Sequence, residues 1–223
     1  MENGITSSLT ATSSSMYVPE ISGKIVKVRV RDDKTFSVHE SVLKQSPFFR
    51  NALRLEWREL RDGAAIKVSH HRPKIFEIYL KWLYSHAIEE ELSSMALVQM
   101  YVLGEEMMDT RFQDATIAAL ISRCLKHKNY PVTDQVNVIY EGTYSTSPAR
   151  RLLVDFFVYA GDRQWVSGRD LANCFHADFV NDLLEALMTK PKKLYASGSF
   201  PWSENPAAYF HSSKRGDDGA AAK

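Results

Sequence analysis

The chain has 223 residues, with 28 Lys+Arg against 27 Asp+Glu and a formal net charge of +1 at pH 7. That length supports one ordinary core plus an extension without disulfide or metal staples, and the even charge balance argues against nucleic acid, an anionic membrane or an acidic substrate as direct partners. Cys124 and Cys174 are the only cysteines and no Asn-x-Ser/Thr sequon occurs, which points to free buried thiols in a reducing, cytoplasmic or nuclear compartment.

Residues 1–19 are polar and Ser/Thr-rich, with neither the basic start nor the apolar centre of a secretory signal, and are expected to be disordered. From Ile25 the pattern alternates. Val26, Val28 and Val30 fall on one face and Lys27, Arg29 and Arg31 on the other, the signature of a half-buried strand. Asp32, Asp33 and Lys34 turn the chain, Phe36 and Val38 resume the alternation, and the unit reads as a β-hairpin whose turn lacks the favoured glycine. Ser46-Pro47 is an N-cap followed by a proline at the first helical position. Ile66 and Val68 mark a third short strand.

Pro73 opens a helix with Phe76, Tyr79, Leu80 and Leu83 on one stripe and Ile75, Ile78 and Trp82 on a second. A helix apolar over most of its circumference is covered on two sides, so residues 73–84 are expected at the centre of the core. Ser93 or Ser94 caps the next helix, whose Leu97, Val98, Tyr101, Val102 and Met108 are expected to face inward; its apolar run, residues 93–104, is too short for a membrane span. Thr110 with Gln113 has capping-box spacing and starts a helix to about Lys126.

The polar stretch ending in Pro131 is the best internal boundary. Three further helical segments follow: 134–144 with Val136, Ile139 and Tyr140; 148–166 with Leu152, Leu153, Phe156, Phe157 and Ala160; and 177–189 with Val180, Leu183, Leu184 and Leu187 as its inward face. Residues 197–223 contain Gly, Ser and Pro, end in GDDGAAAK, and read as a mostly disordered tail.

No motif calls for catalysis or a metal. His39-Glu40 lacks the second histidine one helical turn on, since position 43 is Leu, and His70-His71 are adjacent and point to opposite faces of a strand. No phosphate-binding glycine loop, Gly-x-Ser-x-Gly elbow or Cys-x-x-Cys pair occurs. No enzyme activity, cofactor or metal is expected. His39, where a strand feeds a helix, is expected to bond free backbone groups at the helix end.

The order of these pieces resembles the BTB/POZ domain. It runs from a strand pair through VHESVLKQSPFF (residues 38–49) and a short strand to IFEIYLKWLYSHAI (residues 75–88) and a helix ending in VLGEEMMDTRF (residues 102–112). His39, Leu43, Ser46, Phe49, Phe76, Leu83 and Tyr84 match the family pattern residue by residue. Residues 137–159 are similar to the helical extension of BTB proteins common in filamentous fungi. The resemblance implies an α+β fold, a small three-stranded sheet capped by a cluster of helices, over residues 20–126, then an α-helical extension over 130–192. His39, Leu43, Phe49, Phe76, Trp82 and Leu83 would be structural core.

In function it implies a protein-interaction module that homodimerises and serves as a scaffold or as a substrate adaptor for a cullin-based ubiquitin ligase, the alternative being a nuclear transcriptional scaffold. Ile88 and Glu90 could supply the family's hydrophobic-x-Glu contact with a cullin, and the helical extension would take a further protein partner. Met16, Tyr17, Val18 and Ile21 are candidates for the dimer interface. Two departures stand out. Gly23-Lys24 replaces the usual acidic residue at the first strand, so a dimer would rest on burial more than on charge, and His86 replaces the glycine after the central helix.

Overall fold

The computed structural model describes residues 23–54, 64–68, 71–168, 170–189 and 199–211. They form an α+β structure. β1 (Ile25–Val30) pairs antiparallel with β2 (Thr35–His39), Val26 opposite Val38 and Val28 opposite Phe36. β3 (Ile66–Val68) runs parallel to β1, giving the order β2-β1-β3. The alternation read from the sequence sets the inner face, where Val28, Val30, Val38, Ile66 and Val68 are buried. The missing turn glycine is resolved by the aspartates themselves. Asp32 and Asp33 both adopt left-handed backbone, φ 58° and 54°, the geometry a tight hairpin needs and a short polar side chain tolerates.

α1 (Glu40–Leu43) and α2 (Pro47–Ala52) follow. Ser46 has extended N-cap backbone and Pro47 sits in the first turn as expected, but the Ser46 hydroxyl makes no capping bond. α3 (Pro73–Ser85) buries both stripes: Ile75, Phe76, Ile78, Tyr79, Leu80, Trp82 and Leu83 are all in the core. Trp82 stacks with Tyr79 at 6.2 Å and packs on Phe112 at 5.1 Å. α4 (Ser94–Glu106) is capped by Ser93, whose Oγ accepts the Ala96 N–H at 3.1 Å.

Two expectations at the end of α4 are corrected. Met108 is 51% exposed, because the helix stops and Met108 takes left-handed backbone, leaving Met107 to fill the core. The cap of α5 (Thr110–His127) is Asp109, not Thr110. Asp109 Oδ1 accepts the Phe112 N–H, while Gln113 donates to Glu105 in place of closing a capping box.

α6 (Thr133–Gly142) buries Val136, Ile139 and Tyr140 and packs against α4. Contact is close because position 142 has no side chain: a Cβ there would meet Val102 Cγ2 at 2.7 Å. Arg150, in α7 (Pro148–Asp155), is 6% exposed; its guanidinium donates to the carbonyls of Tyr140 and Thr143, closing off the C-terminus of α6, and lies 4.4 Å from the Tyr140 ring. The single helix expected over 148–166 is broken. α7 widens into a π-helical turn, Phe156–Ala160, and ends at Gly161, where a Cβ would collide with the Phe157 carbonyl.

α8 (Leu171–Cys174) and α9 (Ala177–Thr189) come next. Phe179 and Ala186, not the expected Leu184 and Leu187, form the buried edge of α9. Residues 199–211, grouped with the tail on composition, instead form α10 (Pro201–Glu204) and a 3-10 turn, Pro206–Tyr209. Trp202 is fully buried between Phe156 and Phe200, and the Tyr209 hydroxyl donates to Asp155 at 2.7 Å. Four large aromatics in these thirteen residues, Trp202 and Tyr209 buried among them, provide the apolar area that composition averaged over the whole tail concealed. The buried residues from Val28 to Tyr209 form one continuous cluster.

Candidate interaction surface

The segment after α3 is set by its helix end. His86 closes the helix in left-handed backbone, φ 53°, its N–H on the Trp82 carbonyl at 2.7 Å. This is the position where the BTB pattern has glycine, and an L residue there costs roughly 1 kcal/mol. The His86 ring packs edge-on against Trp82 at 5.2 Å. Burial, and then the nearby Arg111 charge, hold its pKa below the ordinary value.

The loop that follows is tied at both ends. Glu89 bonds Lys81 and Glu91 bonds Lys126, each at 3.0 Å, and those bonds hold both carboxyls below the usual carboxylate range. Ile88 and Leu92 are half-buried against the core. Glu90, between the two tethered carboxylates, is exposed and makes no ion pair among the described residues. Of the two candidate partner contacts, Glu90 is presented to solvent, while Ile88 gives part of its surface to holding the loop down.

His39 is corrected in its bonding. It is half-buried, and its ring makes no bond to the helix end; Nδ1 shares a 2.8 Å hydrogen bond with the Tyr84 hydroxyl, which lies 3.4 Å from the His39 N–H. The residue therefore staples the strand-to-helix junction to the end of α3. Leu43, Phe49, Phe76, Trp82 and Leu83 are all buried.

The dimer candidates Met16, Tyr17, Val18 and Ile21, like His70, lie outside the described residues. His71 pairs with Glu106 at 2.6 Å in the cleft between α4 and the end of α6. Among the described residues no cluster of three or more His, Cys, Asp or Glu could hold a metal, and no helix is long and apolar enough to cross a membrane. Cys124 and Cys174 are free thiols, and burial pushes the Cys124 thiol up to about 12.

Two surface features escaped the sequence reading. One is the outer face of α9, where Leu184, Leu187 and Met188 are exposed; the inward phase of that helix is set by Phe179, and a helix with apolar residues on both sides gives no signal to choose between them. The other is a groove between α2 and the α4–α5 junction, built from residues distant in sequence. No protein-family model matches this chain, and a search of curated proteins returns no match.

Proposed function

We propose that the chain is a BTB/POZ-type protein-interaction module with a helical extension, acting as a self-associating scaffold that ties a partner protein to a cullin-based ubiquitin ligase. The observation that carries this reading is the sheet of order β2-β1-β3, with β3 parallel to β1, closed by a helix buried on both sides. The junction staple adds to it: His39 and Tyr84, two of the residues that carry the family resemblance, bond each other. The untethered Glu90, held out on an anchored loop, is the contact offered to the cullin.

Self-association rests on an apolar two-fold interface, of the order of 1,600 Å² or more in a stable dimer. Light scattering coupled to size exclusion at low and high salt tests it, because an interface held by burial is little affected by screening. A mass of twice the 25.4 kDa chain in both conditions is expected; a monomer in both, or dissociation only at high salt, overturns the apolar dimer. Pull-down from native lysate tests the adaptor role. Recovery of a cullin by the wild-type chain and its loss with Glu90→Lys is expected, and recovery of chromatin factors without a cullin would favour the transcriptional scaffold instead.

A further inference from the structure

The groove that sequence reading missed has a volume of about 690 Å³ and is lined by α1–α2 residues Lys44, Gln45, Pro47 and Arg50, by His86, and by Met108, Asp109 and Arg111. Two of its cations converge on one acceptor. Arg50 and Arg111 come from different helices, yet both guanidiniums donate to the same carbonyl oxygen, that of Gln45, at 3.4 and 3.5 Å. Arg50 is further fixed on the Lys44 carbonyl at 3.1 Å, and Arg111 lies 5.9 Å over the Trp82 ring. Neither arginine has a carboxylate partner among the described residues, whereas the third cation, Lys44, pairs with Glu40 at 2.8 Å.

The one carboxylate in the lining does not neutralise them by contact. Asp109 is 2% exposed, and its two oxygens accept from the Tyr79 hydroxyl at 3.1 Å and the Phe112 N–H at 3.2 Å. Two converging guanidiniums repel each other, and one anion seated between them relieves that repulsion. Beside these donors the left-handed backbone at Met108 pushes a large apolar side chain into solvent.

We propose that this groove binds an acidic peptide segment of a partner protein, a side-chain carboxylate accepting from Arg50 and Arg111 while a neighbouring apolar side chain covers Met108. A carboxylate suits the planar fork of a guanidinium. A small inorganic anion fills only the cationic corner and leaves Met108 in water, whereas a peptide satisfies both parts of the lining. The inference deepens the partner-binding reading above by giving the partner's chemistry, and rests on it.

Fluorescence anisotropy on the full chain tests it with a fluorescein-labelled peptide of sequence ALEELA, and with ALQQLA as the uncharged counterpart. ALEELA is expected to bind saturably and ALQQLA not to bind. Arg50→Gln and Arg111→Gln should each weaken binding about tenfold, the loss of one charge-assisted hydrogen bond. Met108→Ser should weaken it several-fold, and Lys67→Gln, at the one exposed position of β3, should leave it unchanged. Arg111 also packs on Trp82, so thermal melts accompany that variant, and Arg50→Gln carries the test if Arg111→Gln unfolds.

No binding of ALEELA, equal binding of the two peptides, or indifference to both arginine variants overturns the proposal. So does displacement by inorganic phosphate at an ionic strength where chloride has no effect, which would mark a small-anion site. A chain that self-associates in light scattering but fails to bind ALEELA loses this groove and keeps the scaffold reading.

Discussion

Replacing Gly142 by Ala probes the seam between the sheet-bearing part and the helical extension. On helix propensity alone the change is favourable, by up to about 1 kcal/mol, and by less here because Gly142 is the last residue of α6. Packing opposes it. The new methyl would sit 2.7 Å from Val102 Cγ2 and closer still to Cγ1, so the helices must part or Val102 must leave its rotamer. Overpacking of this kind costs about 1 to 3 kcal/mol, and a net loss of roughly 1 to 2 kcal/mol is expected once the propensity gain is subtracted. Val102→Ala, which removes both offending methyls from a half-buried position, should cost on the order of 1 kcal/mol by itself. In the double variant the methyl added at position 142 occupies the vacated space, so its destabilisation should fall short of the sum by about 1 kcal/mol or more. Urea denaturation followed by tryptophan fluorescence gives all three values, provided the slope against denaturant is unchanged. A Gly142→Ala protein as stable as wild type, or strict additivity in the cycle, would refute the close-approach argument.

Truncating His39 to Ala should destabilise by about 1 kcal/mol, the net value of one half-buried hydrogen bond, and the loss should vanish in a Tyr84→Phe background; equal losses in both backgrounds would contradict the staple. Trp82→Ala and Phe76→Ala should each cost about 3 to 5 kcal/mol, since both rings are buried, and a soluble Trp82→Ala chain with wild-type melting temperature would contradict the core assignment. His86 gives a pH test. Its folded pKa is lowered, first by burial and then by Arg111, with Asp109 opposing, so the unfolded chain binds the proton more readily and stability falls as pH drops through the unfolded value near 6.5. The melting temperature of wild type relative to His86→Asn, which also tolerates left-handed backbone, should therefore decline between about pH 7.5 and 5; a difference that is flat or rises on acidification would overturn it.

The sequence by itself determined the elements whose signals are local. Alternation from Ile25 to Val38 placed the hairpin and its buried face, because a period of two leaves one side of a strand apolar. Two apolar stripes on residues 73–84 put α3 at the centre of the core, because polar residues occupied only a narrow edge. Proline and serine marked the starts of α2, α3, α4 and α7.

What only the tertiary structure decided depends on residues far apart in the chain. The His39–Tyr84 bond spans 45 positions, and the meeting of Arg50 and Arg111 on the Gln45 carbonyl has no counterpart in any window of the sequence. The whole-chain charge of +1 concealed that cluster, because totals average over surfaces that folding brings together. Helix phase was lost wherever both faces were apolar, as at Leu184 and Leu187, and wherever left-handed backbone ended the period, as at Met108. The C-terminal aromatics Trp202 and Tyr209 were submerged in a polar tail because burial there is decided by the pocket that Phe156 and Asp155 provide, which exists only once the helices have assembled.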